Sequence, residues 1–116
     1  MQGIVPYNEL FYQLESVTER YALSDGARTL EMHLVQGLRH AGHMLMAYLP
    51  NEKILVEADL YSPPAQGAQP PATPNPDSVA LYDNIKRLKL DVAQIVPIHG
   101  RAGSMDEFLK VIGKTN

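Results

Sequence analysis

The chain contains no cysteine and has no excess of positive charge. Without cysteine, disulfides, thiolate nucleophiles and cysteine-bound zinc are excluded, so any metal must be held by histidine, aspartate or glutamate. A net charge of -3 gives no basic face for a phosphate backbone, which argues against nucleic acid as a partner. No apolar run approaches the roughly 20 residues that span a bilayer, and no leader-like segment opens the chain. We therefore expect a cytoplasmic protein with no membrane partner.

The 116 residues, 45% of them hydrophobic, predict a single domain over residues 1–116 with one modest core. Apolar residues at helical spacing predict an amphipathic N-terminal helix within residues 1–18. Two alternating runs flank Asp25-Gly26, and this pair predicts a β-hairpin. Met44–Leu49 and Lys53–Ala58 predict two further strands. Residues 19–61 should therefore form an antiparallel meander.

Residues 62–76 hold six of the nine prolines and predict an extended loop, which is either a linker or a flap over Asp59. Residues 77–113 predict a helix, a strand and a helix, with Asn75 and Ser104 as the N-caps. The strand, Asp91–Ile98, is predicted at the sheet edge because Pro97 lacks a donor N–H. The predicted fold class is α+β, with a mainly antiparallel sheet of about five strands and two or three helices.

Residues with metal-binding side chains stand at predicted strand boundaries. These are His40, Asp59 and His99, and neutral imidazoles with a carboxylate suit zinc. The alternatives are solvated loop histidines and an aspartate that caps a turn. His43 is an additional candidate ligand, with an exposed loop residue as its alternative. Glu57 is interpreted as a surface carboxylate rather than a general base, because it points to the opposite sheet face from its neighbour.

Three segments resemble, in the same order, the C-terminal half of the metallo-β-lactamase-fold hydrolases: His40–Pro50, Glu52–Leu60 and Ile95–Gly100. The proline-rich loop followed by Leu81–Asp91 is similar to the glyoxylase-like zinc hydrolase branch of that superfamily. The resemblance implies an αββα sandwich in which two sheets pack face to face. This chain would supply one of those sheets and its helices.

The resemblance also implies roles for the candidate ligands. His40 resembles a ligand of a first zinc, Asp59 the carboxylate that bridges two zinc ions, and His99 a ligand of the second. The family's H-x-H-x-D-H motif is absent from the sequence, and a catalytic zinc normally keeps three protein ligands. The resemblance therefore implies hydrolase ancestry, with zinc bound weakly or not at all by the isolated chain and no turnover by that chain alone.

A sheet with one uncovered apolar face must cover it, either with the N-terminal helix or by forming a homodimer. In a dimer the second copy, or in another assembly a separate chain, would also supply missing ligands. The predicted function is thus a truncated metallo-β-lactamase-like module for metal binding or hydrolase-like chemistry, completed by oligomerisation. The alternatives are a non-catalytic oligomerising or small-ligand-binding protein that has lost the metal site, and a gene fragment without a function of its own.

Overall fold

The computed structural model describes residues 20–38 and 44–114, so the predicted N-terminal helix, His40 and His43 lie outside the described residues. The strands are β1 (Arg20–Ser24), β2 (Thr29–Leu34), β3 (Leu45–Leu49), β4 (Ile54–Glu57), β5 (Gln94–Pro97) and β6 (Gly103–Ser104). The helices are α1 (Pro76–Leu88) and α2 (Met105–Val111). The strands form one sheet in the order β1-β2-β3-β4-β5-β6. No helix in the described ranges is long and apolar enough to cross a membrane.

The first four strands pair with their sequence neighbours in antiparallel fashion, as the alternating pattern predicts. Asp25 fixes the first turn, because its Oδ1 accepts hydrogen bonds from the backbone N–H groups of Ala27 at 2.9 Å and Arg28 at 2.7 Å. Gly26 has φ 91°, a conformation that glycine adopts at little cost. The Asp-Gly hairpin is therefore confirmed.

β5 lies parallel to β4, and a parallel pair needs a long crossover rather than a tight turn. Residues 58–75 and α1 provide that crossover. The prediction that β5 is an edge strand is wrong, because β6 pairs with it on the outer side through Gln94 and Ile95. Pro97 lies outside the paired segment of β5 and β6, so its missing N–H removes no hydrogen bond between these two strands. The sheet accordingly has six strands rather than five.

Both helices begin where the capping pattern predicts. The Asn75 side chain accepts a hydrogen bond from the Asp77 N–H at 2.8 Å, and the Ser104 hydroxyl accepts one from the Glu107 N–H at 3.1 Å. Leu81 of α1 and Phe108 of α2 have no exposed surface. Both helices pack on one face of the sheet, in a single core cluster: Val35, Met46, Tyr48, Leu55, Leu60, Tyr61, Leu81, Ile85, Val92, Ile95, Phe108 and Ile112.

Candidate functional site

Asp59 and His99 meet at one edge of the sheet. Glu57 at the end of β4 pairs with Pro97 at the end of β5. Asp59 comes two residues after Glu57, and His99 comes two residues after Pro97. Because neighbouring parallel strands end at the same edge, their following residues converge there. His99 Nδ1 lies 2.8 Å from Asp59 Oδ1, so a protonated Nδ1 donates a hydrogen bond to the carboxylate. The structure therefore brings together two of the three predicted ligands.

The pair is open to solvent. The exposed fraction of the side chain is 66% for Asp59 and 76% for His99. A histidine whose Nδ1–H is held by a carboxylate presents the lone pair of Nε2, which is the usual arrangement in histidines that bind metals. The geometry thus leaves both the imidazole and the second carboxylate oxygen accessible to a ligand.

The backbone around the pair has a constrained conformation. Asp59 has φ 63°, in the left-handed region that aspartate and asparagine tolerate better than most residues. Gly100 has φ 115°, and an added Cβ there would approach the Ser62 side chain to 3.4 Å. The Ser62 hydroxyl donates a hydrogen bond to the His99 carbonyl at 2.8 Å, which ties the segment after β4 to the segment after β5.

Glu57 is buried, so its interpretation as a surface carboxylate is wrong. Its side chain is 1% exposed, and Oε1 accepts hydrogen bonds from the N–H groups of Leu60 at 2.9 Å and Tyr61 at 3.0 Å. Burial raises the pKa of the Glu57 carboxyl, against the lowering effect of these two bonds. Alternation along β4 puts Glu57 on the same side as Leu55, but only the structure shows that this is the buried side. Its role is to hold the turn that positions Asp59.

A cavity of about 380 Å³ adjoins Asp59. The proline-rich loop closes one side of it and the start of α1 another, while α2 contributes one residue. Its lining residues are Asp59, Leu60, Tyr61, Ser62, Pro64, Pro71, Asn75, Ser78 and Val111. The loop therefore lies beside the candidate site, as the flap interpretation requires, and Arg101 holds its beginning by donating a hydrogen bond to the Pro64 carbonyl at 2.8 Å.

His33 is separate from this edge. It lies in β2, and β3 and β4 stand between it and β5 in the sheet. Its side chain is buried, with Nε2 2.8 Å from Glu31, whose carboxylate also pairs with Arg20 at 3.1 Å. His33 is thus a structural residue of the β1–β2 hairpin.

The donor set can be compared with the needs of zinc. Within residues 20–38 and 44–114, no three histidine, aspartate or glutamate side chains come together in a group that could hold a metal ion. Asp59 and His99 have suitable chemistry, but zinc usually takes three or four protein ligands. The described residues therefore fit zinc only as part of a site, and His40 and His43 lie outside the description.

Comparison with solved structures identifies the architecture as part of a metallo-β-lactamase-like fold. A metallo-β-lactamase from Pontibacter korlensis aligns with a TM-score of 0.56 and 20% identity, over 83% of this chain and 45% of its own. An archaeal metallo-β-lactamase superfamily protein from Sulfolobus tokodaii gives 0.57 and 17%, over 84% and 37%. The flavodiiron protein from Giardia intestinalis gives 0.54 and 19%, over 80% and 27%. The chain thus spans less than half the length of these proteins.

No protein-family model matches the sequence, and no curated protein sequence matches it. At identities of 17 to 20%, the structural matches establish the fold alone. The predicted fold class and the predicted resemblance to part of this fold are confirmed. The ligand roles of Asp59 and His99 remain predictions.

Proposed function

We propose that this chain is a metal-binding module in which Asp59 and His99 supply two ligands of a divalent metal centre. The observation that carries the proposal is the 2.8 Å contact between two exposed side chains at the ends of adjacent parallel strands. While Nδ1 contacts Asp59, the Nε2 lone pair points away from that carboxylate, so an ion held by both side chains would take the place of the Nδ1 proton. Imidazole and carboxylate donors together favour zinc among the common divalent ions. The edge position leaves room for ligands from elsewhere.

Further ligands must complete the centre, because two donors hold zinc weakly. His40 is the first candidate, since it occupies the position that resembles a zinc ligand, and His43 is the second. A second copy or a separate chain could add more. The proposal is limited to metal binding, because a catalytic zinc keeps three protein ligands and the described residues provide two.

Zinc titration by calorimetry tests the proposal directly, with the wild type and three matched variants. Asp59→Asn keeps a side chain that tolerates the left-handed backbone and removes the charge, while His99→Ala removes the imidazole. Each should weaken zinc binding at least about ten-fold. Asp83→Asn, a change to an exposed carboxylate on α1, should leave the affinity unchanged.

Two results would contradict the proposal. One is a wild-type protein that takes up no zinc at protein concentrations of about 100 µM, where even weak sites are occupied. The other is an affinity that falls equally in Asp83→Asn, because zinc would then bind diffusely to surface carboxylates. A His40→Ala variant in the same series measures whether the third predicted ligand takes part.

A second candidate function is the binding of a small molecule without a metal. The cavity of about 380 Å³ beside Asp59 favours it, since the cavity combines apolar walls with hydroxyl groups such as that of Ser62. Screening a fragment library by NMR in the presence of a chelator separates the two functions. Fragments that shift the Tyr61 and Ser78 signals without metal would support this second candidate, whereas fragments that bind only with zinc would support the first.

A further inference from the structure

The middle of the proline-rich loop is not hydrogen-bonded to the body of the protein. We call residues 65–74 the lid. Their one hydrogen bond within the described chain is internal, from the Ala68 N–H to the Ala65 carbonyl at 3.0 Å. Every lid residue except Pro74 is exposed, yet Pro71 lines the cavity beside Asp59. The lid therefore forms a wall of the cavity without hydrogen bonds along its length.

The backbone of the lid is stiff apart from one turn. Gly67 has φ 82° between the hydrogen-bonded ends of that turn. Pro70, Pro71 and Pro74 restrict the backbone of the remaining part. Such a segment moves about its attachments rather than by bending throughout, so the contacts at its start decide its position.

Arg101 makes the attachment at the start of the lid. Its Nη2 donates a hydrogen bond to the Pro64 carbonyl at 2.8 Å, and both terminal nitrogens pair with the Glu107 carboxylate, Nη1 at 3.1 Å. The carboxylate thus fixes the planar guanidinium in the orientation that reaches the loop. The side chains of Arg101 and Glu107 are 38% and 29% exposed, so dissolved ions can screen their attraction.

Gly103 leaves room for this attachment. An added Cβ there would lie 2.7 Å from Pro63 Cγ and 2.9 Å from Glu107 Oε1, closer than van der Waals contact. A side chain at this position would therefore displace the start of the loop, the Glu107 carboxylate or both.

We propose that the lid opens and closes over the cavity, and that the Arg101–Glu107 pair is the latch that holds it closed. In the closed conformation the Tyr61 hydroxyl, part of a residue in the cavity wall, is buried and has no hydrogen-bond partner among the described residues. This is a cost that water removes on opening. The lid controls access for the ligand of the proposed function, but its motion needs no ligand.

The reactivity of a single thiol measures opening. The chain has no cysteine, so Ser78→Cys carries the only thiol, at a position 4% exposed in the cavity wall. A neutral dipyridyl disulfide should react with it far more slowly than with Ala72→Cys in the exposed lid. Adding Arg101→Gln to Ser78→Cys should raise the rate about ten-fold, because charge-assisted hydrogen bonds of the closed state are lost. Loss of a positive charge by itself would slow a thiol by raising its pKa.

A second variant and a control separate the latch from other effects. Gly103→Ala changes no charge and should also raise the Ser78→Cys rate, because its methyl group displaces the loop start or Glu107. Arg28→Gln, the matched change at an exposed residue of the β1–β2 hairpin, should leave the rate unchanged. Sodium chloride from about 0.02 M to about 1 M should raise the rate with Arg101 present and not after Arg101→Gln.

Urea distinguishes movement of the lid from unfolding. Opening exposes little surface, so the rate should be nearly constant at urea concentrations below the unfolding transition. A thiol reached through global unfolding would react faster in proportion to the unfolding constant. Circular dichroism checks that each variant is folded.

Three outcomes would overturn the proposal. A Ser78→Cys rate equal to that of Ala72→Cys would show that the cavity is not covered. An unchanged rate after Arg101→Gln would show that the pair does not hold the lid. A rate that follows global unfolding, or that rises equally in Arg28→Gln, would assign the exposure to lost stability. None of these measurements uses metal or ligand, so their failure is distinct from failure of the zinc titration.

Discussion

Two carboxylates that stand two residues apart at the end of β4 have opposite environments. Glu57 is 1% exposed and accepts two backbone hydrogen bonds, while the Asp59 side chain is 66% exposed and contacts His99. The turn that Glu57 holds gives Asp59 a positive φ and directs it toward the end of β5. At the residue scale, the position of Asp59 therefore depends on Glu57, a buried residue whose own carboxylate does not contact His99.

Replacement of Glu57 should show this dependence in stability. Glu57→Ala leaves the Leu60 and Tyr61 N–H groups buried without an acceptor, and we expect a loss of about 2–4 kcal/mol in the free energy of unfolding. Glu57→Gln keeps one acceptor oxygen and should cost less than about 1 kcal/mol. Urea denaturation of both variants measures the difference, and equal losses would contradict the proposed role.

Asp25 predicts a dependence of stability on pH. Hydrogen bonds from the N–H groups of Arg28 and Ala27 lower the pKa of its carboxyl below the ordinary value of 3.8. The folded state therefore favours the carboxylate, so this contribution is present above about pH 4 and is lost as the pH falls through the folded pKa. Asp25→Asn keeps an acceptor oxygen but does not titrate.

The urea midpoints of the wild type and Asp25→Asn should be compared between about pH 6 and pH 2. Below about pH 4 the wild type should lose more stability than Asp25→Asn, because the Asp25 carboxylate becomes protonated and the asparagine amide does not. Parallel curves over the whole range would show that the turn hydrogen bonds do not depend on the charge of Asp25.

At the element scale, the ends of α1 differ in how well the sequence suits them. Its start has a matching cap and an allowed proline, Asn75 and Pro76. Its end has Lys89 in the left-handed conformation, φ 56°, with its N–H donating to the Lys86 carbonyl at 3.2 Å. Glycine is the usual residue at such an end, so a lysine in this left-handed conformation carries backbone strain that glycine would avoid.

Lys89→Gly should therefore stabilise the protein by about 0.5–1 kcal/mol, because glycine adopts the left-handed conformation without steric cost. Lys86→Gly, one turn earlier and inside the helix, is the control and should destabilise by about 1 kcal/mol. Thermal unfolding of the two variants gives the signs. A loss of stability in Lys89→Gly would mean that the lysine side chain contributes more than the strain removes.

At the scale of the whole molecule, the core and the candidate site are separate. The core lies between the sheet and the two helices, and it includes neither Asp59 nor His99. The core of the described residues is thus built without the candidate ligands, in contrast to small zinc domains whose core forms around the ion.

This separation predicts that metal removal leaves the fold intact. In excess EDTA the chain should keep its circular dichroism spectrum and a cooperative urea transition, because burial of the core residues does not depend on the exposed ligands. Any added stability in zinc should grow with the logarithm of free zinc, as expected for binding to the folded state alone. Loss of strand signal in EDTA would contradict this prediction.

The sequence determined most of the elements, because their causes are local. The Asp-Gly turn, the alternation along β2 to β4, and the caps Asn75 and Ser104 each depend on residues a few positions apart, and all are confirmed. The resemblance to part of a metallo-β-lactamase-like fold followed from short motifs at strand ends. Such motifs also indicate Asp59 and His99 as candidate ligands.

Only the tertiary structure decided how β5 pairs with β4 and β6, and which side of the sheet is inside. A two-residue strand such as β6 has no periodicity to detect, so the sequence could not show that β5 lies inside the sheet. Alternation gives two faces without saying which one the helices cover, and Glu57 was therefore assigned to the wrong environment. The contact between Asp59 and His99 depends on the parallel pairing of β4 with β5, which joins residues 40 positions apart and has no local cause.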